Sequence, residues 1–566
     1  MKVSDASAQI QSHWPLAIMA VIGAALIFTN LGAGYLWADE GDTAVLASNV
    51  LKFGVPKAWD GVTFIDSDFG ARENDQLVMV SSPWVQYYVT AASFLVFGQN
   101  TFAARVPFAL AGWMSILLVY FIVWQVTTNR WAAFSAAFLL VMSVQFLLYS
   151  RQSRYYALSM LFTCLLIWIF LRMRSLRESV LFALLAIVLF HIHPIGIVPV
   201  VVLAILTLLY SPFAVKRRGS WRALLGIIAL TIPWFAFAHT GYTENALLVP
   251  SIRDFFARFA QYLIECASVT PLVGLVALLI VFLIQCRRRT RSLSSREQDF
   301  LVVIFAVILS YALAMTVTQR TAALWVTGIR YTSAIIPLVA MAAGILIAKI
   351  AHRRVFVWVS ILLVFAFTHL GQITPWVLWA DKNPNPENKI VAVHVPQRAV
   401  DGLVPTGLLL FVRDLFLANP GTLAASCEFL GKHARPGDLV VTNYESEPLY
   451  FHTRLPQGMK IMKQDSIYEI AKQRHLPDYV FGVDQAHWVV WRFNWDDYLG
   501  IKWADVEHRL LSEGAKINDA AQLEETAWEN RENIHFHRFA GRRYLFPQDK
   551  DLAPAHIFRV DWPAGL

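Results

Sequence analysis

The chain has 566 residues, a formal net charge of +8, 57% hydrophobic residues and only 16% charged ones, with a mean hydropathy of +0.48. Soluble enzymes carry about 25% charged residues, so an ordinary soluble enzyme is excluded. The basic residues form short clusters beside apolar runs, which argues against the continuous basic face of a nucleic-acid binder. Four cysteines without paired spacing (Cys164, Cys266, Cys286, Cys427) argue against a disulfide framework or a zinc site.

The first apolar run, 15–36, exceeds the roughly 7–15 residues of a signal-peptide core. Its leader holds Asp5 and His13 beside Lys2, so it reads as a retained first span. It delivers Asp39 and Glu40 to the membrane surface. A long loop, about 37–102, follows. A helix is expected there over 43–53, with Asp39 or Asp42 as its N-cap. An amphipathic piece over 84–97 is suited to lie along the membrane surface.

Apolar runs close to the roughly 20 residues of a span recur at 103–126, 131–149, 155–171, 179–190, 195–211, 222–239, 271–286, 300–317, 331–350 and 355–376. The His191-Ile192-His193-Pro194 break splits 179–211 into two helices, because proline disfavours helix before it. With the N-terminus in the cytoplasm, the inside loops hold Arg130; Arg172, Arg174 and Arg177; Lys216, Arg217, Arg218 and Arg222; Arg287, Arg288, Arg289, Arg291 and Arg296; and Arg353 and Arg354. That distribution obeys the positive-inside rule. It places the acidic pair and the tail outside. The tail, 381–566, opens on a Pro- and Asn-rich linker at 381–386. A helix is expected at 424–433, a turn at 435–438, and strands at 439–442, 479–483 and 487–491. The sequence thus predicts two domains: a polytopic α-helical membrane unit of about eleven spans at 1–380, and an extracytoplasmic α/β domain at 381–566.

Four constellations carry candidate chemistry. Carboxylates at the membrane boundary are costly unless they face a partner, a cavity or a reaction, and Asp39-Glu40 with Asp42 has that position. Either acid can serve as a general base toward a hydroxyl, and a capping role is compatible with this. Arg151 and Arg154, next to Tyr155 and Tyr156, stand at an external junction where arginine runs against topology. Their guanidinium forks suit phosphate or carboxylate, with interfacial anchoring as the alternative. Arg330 and Tyr331, near Arg320, repeat the pattern, and the two junctions facing an acidic loop read as one anionic-lipid headgroup site. His191 and His193, at i and i+2, suit a metal or proton transfer, although a polar turn tolerates them without a role. Among the loop acids Asp60, Asp66, Asp68, Glu73 and Asp75, most are surface. The glycines Gly437 and Gly482 sit in no GxGxxG, so dinucleotide binding is not indicated.

The order of these stretches resembles the membrane-embedded GT-C glycosyltransferases, in particular the group of protein O-mannosyltransferases and lipid A aminoarabinose transferases. The resemblance rests on Ala38-Asp39-Glu40-Gly41-Asp42, on Leu95-Val96-Phe97-Gly98 with Ala104-Arg105-Val106-Pro107, on the segment from Ser150 to Leu158, and on Gly328-Ile329-Arg330-Tyr331 leading to Pro337. It covers roughly residues 15–376, with a weaker echo at 427–442. The resemblance implies a GT-C fold and a polyprenyl-phosphate sugar donor used on the outer face of a prokaryotic inner membrane. It implies Asp39 as the base with Glu40 beside it. It makes Arg154 and Arg330, with Tyr155 and Tyr331, the holders of the donor phosphate, and inversion the stereochemical outcome. The acceptor stays open among glycolipid, polysaccharide and protein. One departure stands out: Ser81-Ser82-Pro83 replaces the acid or histidine that relatives place before this proline. The second acidic or metal-binding position therefore falls to Asp68, Glu73 or Asp75, and a divalent metal is left open. Two other readings compete. A transporter or flippase predicts charges deep within spans and repeat symmetry. A membrane O-acyltransferase would use His191 or His193 as base.

Overall fold

The computed structural model describes residues 14–64, 73–74, 76–80, 82–237, 251–288, 292–318, 329–352, 354–373, 408–416, 421–443, 446–457, 485–493, 502–524 and 553–563. Asp66, Asp68, Asp75, Arg320, the 381–386 linker and the expected strand at 479–483 lie outside them.

Helices α1 (Trp14–Phe28) and α2 (Ala38–Phe53) flank the turn that brings in the acidic pair, and α3 (Val85–Phe97) closes the first loop. Then come α4 (Thr101–Thr127), α5 (Arg130–Val141), α6 (Val144–Ser150), α7 (Tyr156–Arg172) and α8 (Leu176–Ile192). The bundle continues through α9 (Ile197–Leu209), α10 (Arg217–Phe237), α11 (Ile252–Val269), α12 (Leu272–Arg287), α13 (Ser295–Thr318), α14 (Ile335–Ala351) and α15 (Val355–Phe367). Among the described residues, α4 and most of α13 are each long and apolar enough to cross a membrane. Two bent pairs meet that standard jointly: α5 with α6, at 68°, and 194–209 with 211–234, at 114°. Six more helices (α1, α3, α7, α12, α14 and α15) are apolar but shorter. These apolar helices make the chain an integral membrane protein.

Local chemistry explains most of the element ends. The Asn100 side chain accepts the Ala103 N–H at 2.9 Å and starts α4. A capping box between Ser175 and Glu178 starts α8. Pro194 opens a short 3₁₀ turn after His193, so 179–211 does form two helices. Two expectations change. The helix expected at 43–53 starts at Ala38, after Trp37, which makes no side-chain capping bond. Asp39 is therefore a first-turn residue and not the cap. Helix α11 was not expected at all: Arg253, Asp254 and Arg258 hide it from a search for apolar runs, yet Ser251 caps it.

In the core of the bundle, α14 is buried along nearly its whole length. It lies so close to α5 that a Cβ on Gly344 would stand 2.6 Å from the Ala136 nitrogen. Small residues let apolar helices approach at backbone distance.

The tail supplies α16 (Leu408–Asp414), α17 (Thr422–His433), β1 (Val440–Thr442), α18 (Ser446–Thr453), β2 (Trp488–Arg492), α19 (Trp503–Ser512), β3 (Lys516–Leu523) and β4 (Ala555–Asp561). The strands form one sheet in the order β1-β2-β4-β3. β1 and β2 are parallel, and β4 runs antiparallel to both neighbours. α17, β1 and β2 match the expected helix and strands. Not all of the tail stays apart from the bundle, however. Leu408, Phe411 and Leu415 are buried in the bundle's own core, and the Leu415 carbonyl accepts from Asn30 Nδ2 at 2.7 Å.

Helix α18 docks on the first loop. Phe451 stacks on Phe94 at 5.9 Å, and the Tyr450 hydroxyl donates to Asp60 Oδ2. The Gln457 N–H reaches Thr63 Oγ1 at 3.2 Å. Gly41 of α2 lies directly under Pro448, whose Cα would be 2.8 Å from any Cβ placed there. Alanine at an exposed helix position gains about 1 kcal/mol over glycine. Here Gly41→Ala is expected to do the opposite and lift α18 off α2. Hydrogen–deuterium exchange should then speed up at 446–457 and leave α14 unchanged. Unaltered exchange at 446–457 would refute the contact.

Candidate functional site

The site forms where the start of α2 meets three segments: the start of α4, the turn between α6 and α7, and the 3₁₀ turn before α14. Helix rotation separates the two neighbouring acids. The side chain of Glu40 is 0% exposed and that of Asp39 is 22% exposed. Glu40 is fully engaged: Arg105 Nε donates to Oε1 at 2.9 Å, Nη2 donates to Oε2 at 2.7 Å, and the Ser153 N–H donates to Oε1 at 2.7 Å. Arg105 spends its remaining donors on the carbonyls of Leu31, Gly34 and Tyr35. This pair ties the α1–α2 turn to α4 and to the 150–155 turn. Glu40 is thereby fixed in place next to Asp39.

Asp39 faces two arginines. Arg330 Nη1 donates to its Oδ2 at 2.7 Å, and Arg154 Nη2 lies 3.4 Å from the same oxygen. Arg154 Nη1 also donates to the Asp39 carbonyl and to Thr43 Oγ1, both at 3.0 Å, and sits 3.7 Å from Asp42 Oδ2. The Nε atoms of both arginines are buried without a hydrogen-bond partner among the described residues, as are the hydroxyls of Tyr155 and Tyr156. Buried donors without partners cost free energy. Four such donors, two of them on the arginines that face Asp39, are suited to an oxygen-rich guest. Arg154 lies over the Tyr155 ring at 5.7 Å and Arg330 over Tyr331 at 5.2 Å.

The 150–155 turn that presents Arg154 is held from behind. Gly112 of α4 leaves room only for the Ser150 side chain. Arg151, a candidate ligand from sequence, lies elsewhere. Its Nη1 donates to the carbonyls of Ile27 at 2.6 Å and Thr29 at 2.9 Å, capping the end of α1. The two histidines also part. His193 stacks on Tyr155 and Tyr331, whereas His191 meets the Trp234 ring edge-on at 5.7 Å. Glu73 is buried where it pairs with Met79. Among the described residues, no three His, Cys, Asp or Glu side chains gather as metal ligands. Sequence reasoning quoted Arg105 without giving it a role. A charged residue near the start of a long apolar helix was the available signal, because such a charge needs a partner.

His452 of α18 reaches the approach to the site from the tail. Its Nε2 accepts the Leu36 N–H at 3.1 Å, and its ring meets Tyr35 edge-on at 4.4 Å. Burial, with Arg105 and Arg454 nearby, lowers its pKa from the usual 6.5 to about 3. The docked ring must stay neutral, and the free ring protonates below pH 6.5. The contact is therefore fully favourable above that pH and weakens as pH falls from 6.5 toward 3. At pH 5 the loss is about 2 kcal/mol. Exchange at the Leu36 amide is expected to exceed its intrinsic pH trend on going from pH 7.5 to 5. A His452→Gln variant should lack this excess.

Residues 81–192 match the family described as Dolichyl-phosphate-mannose-protein mannosyltransferase, a stretch that includes Arg105, Arg154, Tyr155 and Tyr156. In fold, the chain is similar to ArnT from Cupriavidus metallidurans bound to undecaprenyl phosphate. The two share 14% identity and a TM-score of 0.52, with 90% of this chain and 96% of that chain covered. It is equally similar to the same organism's ArnT in the apo state, with 15% identity, a TM-score of 0.54, and 91% and 96% covered. No curated protein sequence matches the chain. The family match is confined to residues 81–192, and the fold shared with the two ArnT structures extends over nine-tenths of the chain.

Proposed function

We propose that the protein transfers a sugar from a polyprenyl-phosphate donor to an acceptor hydroxyl on the extracytoplasmic face of a prokaryotic inner membrane, with Asp39 as the base. The carrying observation is the part-exposed Asp39 carboxylate held against two arginines whose buried Nε donors lack partners among the described residues. An incoming phosphate satisfies those donors and competes with Asp39 for the same guanidinium forks. As the forks turn to phosphate, the Asp39 carboxylate is released to accept a proton. The acceptor hydroxyl attacks the anomeric carbon, and its proton passes to Asp39. The bond from that carbon to the phosphate oxygen breaks, and the leaving phosphate keeps the electron pair against Arg154 and Arg330. One displacement inverts the anomeric centre. The undecaprenyl phosphate in the ArnT structure of similar fold supports a lipid-phosphate donor.

In this reading about eleven spans place the N-terminus inside and the 381–566 region outside, where α18 covers the approach to Asp39. The acceptor is a glycolipid, a polysaccharide or a protein. Purified protein given a panel of polyprenyl-phosphate sugars and a membrane-extract acceptor should release free polyprenyl phosphate. Intact donors throughout, from protein that binds polyprenyl phosphate, would refute the transfer.

A further inference from the structure

Among the described residues, His193 keeps one ring edge uncommitted. Its Nδ1 accepts the Ile195 backbone N–H at 3.3 Å, which places the proton of the neutral ring on Nε2. The ring stacks on Tyr155 at 4.4 Å and 28°, and on Tyr331 at 4.9 Å and 30°. These are the two tyrosines that carry Arg154 and Arg330 on their faces. The turn behind it has no slack, because a Cβ on Gly196 would stand 2.7 Å from Leu189. With Nδ1 taken, Nε2–H is the remaining polar group of a part-exposed side chain packed against the tyrosines that underlie Arg154 and Arg330.

The charge state follows from the surroundings. Burial first, then Arg330 and Arg154, lowers the pKa from 6.5 to about 3. A third cation beside two guanidiniums would repel them. A neutral N–H adds a hydrogen bond to an anion without that repulsion. A base weakened in this way, with Nδ1 occupied, is poorly suited to deprotonating a hydroxyl.

We propose that His193 is a third ligand of the donor phosphate, donating Nε2–H to a non-bridging oxygen of the group held by Arg154 and Arg330. This rests on the polyprenyl-phosphate reading given above. It assigns the second histidine of the 191–194 turn a binding role and leaves the first, His191, to aromatic packing.

Two substitutions separate binding from structure. In His193→Asn, the side-chain oxygen can replace Nδ1 and keep the Ile195 bond, but no donor reaches the Nε2 position. In His193→Gln, the amide reaches the Nε2 position and the Ile195 bond is lost. Binding of farnesyl phosphate to the full-length protein in nanodiscs, with farnesol as the control, reads the difference. A lost hydrogen bond to a charged group should weaken binding by roughly tenfold or more. The expected result is that loss in the Asn variant at an unchanged melting temperature, with the Gln variant within about threefold of wild type. An Asn variant that binds like wild type would overturn the role of His193, whatever the Gln variant does. Wild-type protein that prefers farnesyl phosphate no more than farnesol would overturn the reading of the whole site instead.

Discussion

Asp39→Asn is expected to cut polyprenyl-phosphate release by about 10²- to 10⁴-fold, the range that a positioned general base contributes. The amide nearly matches the carboxylate in shape, and its oxygen still accepts from Arg330 Nη1, 2.7 Å away in the native site. The local structure therefore has no reason to collapse. Binding should move the other way. Asp39 is an anion beside the proposed phosphate position, and it holds both guanidiniums. Without its charge, farnesyl phosphate should bind as tightly as to wild type or more tightly. Turnover and affinity thus separate, which a scaffolding role for Asp39 does not predict. Parallel loss of both would make Asp39 a structural anchor of the arginines. Unchanged turnover would place the base elsewhere.

Asp39, Arg154 and Arg330 could be read from the sequence because each breaks a local rule. Two carboxylates end the first apolar run, and the topology expected from the basic loops puts two arginines on the side where arginine is disfavoured. What a linear reading could not supply was which acid is which. Adjacent residues on a helix point about 100° apart. Only the approach of Arg105, 65 residues later, decides that Glu40 is the buried one. Arg151 and Arg154 posed the same problem. Their spacing is identical in kind, and the fold sends the first to the end of α1 and the second to Asp39.

The tail was readable where its elements are buried and regular. α17, β1 and β2 have apolar patterns of their own. β3, with the sequence Lys-Ile-Asn-Asp-Ala-Ala-Gln-Leu, is mostly exposed and becomes a strand by pairing with β4 at the sheet edge. Context of that kind outweighs intrinsic strand preference. α18 has eight residues and no marked apolar face, so its docking on α2 through Pro448, Tyr450 and His452 is a purely tertiary fact. The membrane bundle was more legible than the site because hydropathy acts over some twenty residues at a time. The site depends on single side chains brought together across almost three hundred positions, as with Asp39 and Arg330.

Arg105→Met is expected to be the most destabilising single change in the site. It removes one member of an ion pair whose side chains are 1% and 0% exposed. Glu40 would be left charged in the interior with only the Ser153 N–H, and the carbonyls of Leu31, Gly34 and Tyr35 would lose their donor. Breaking a buried pair in this way costs about 3–5 kcal/mol. The energy of the pair itself is a separate quantity, since desolvation offsets much of the attraction between two buried charges. The double variant Arg105→Met with Glu40→Leu removes both charges and so escapes the main penalty. It should melt between the single variant and wild type in the same detergent, a non-additivity that a double-mutant cycle reads directly. The two variants should also differ from Asp39→Asn in kind. Each disorders the turn that presents Asp39, so farnesyl-phosphate affinity should fall along with stability. An Arg105→Met protein that melts like wild type would show that the pair carries no structural weight, and Glu40 would return as a second candidate base.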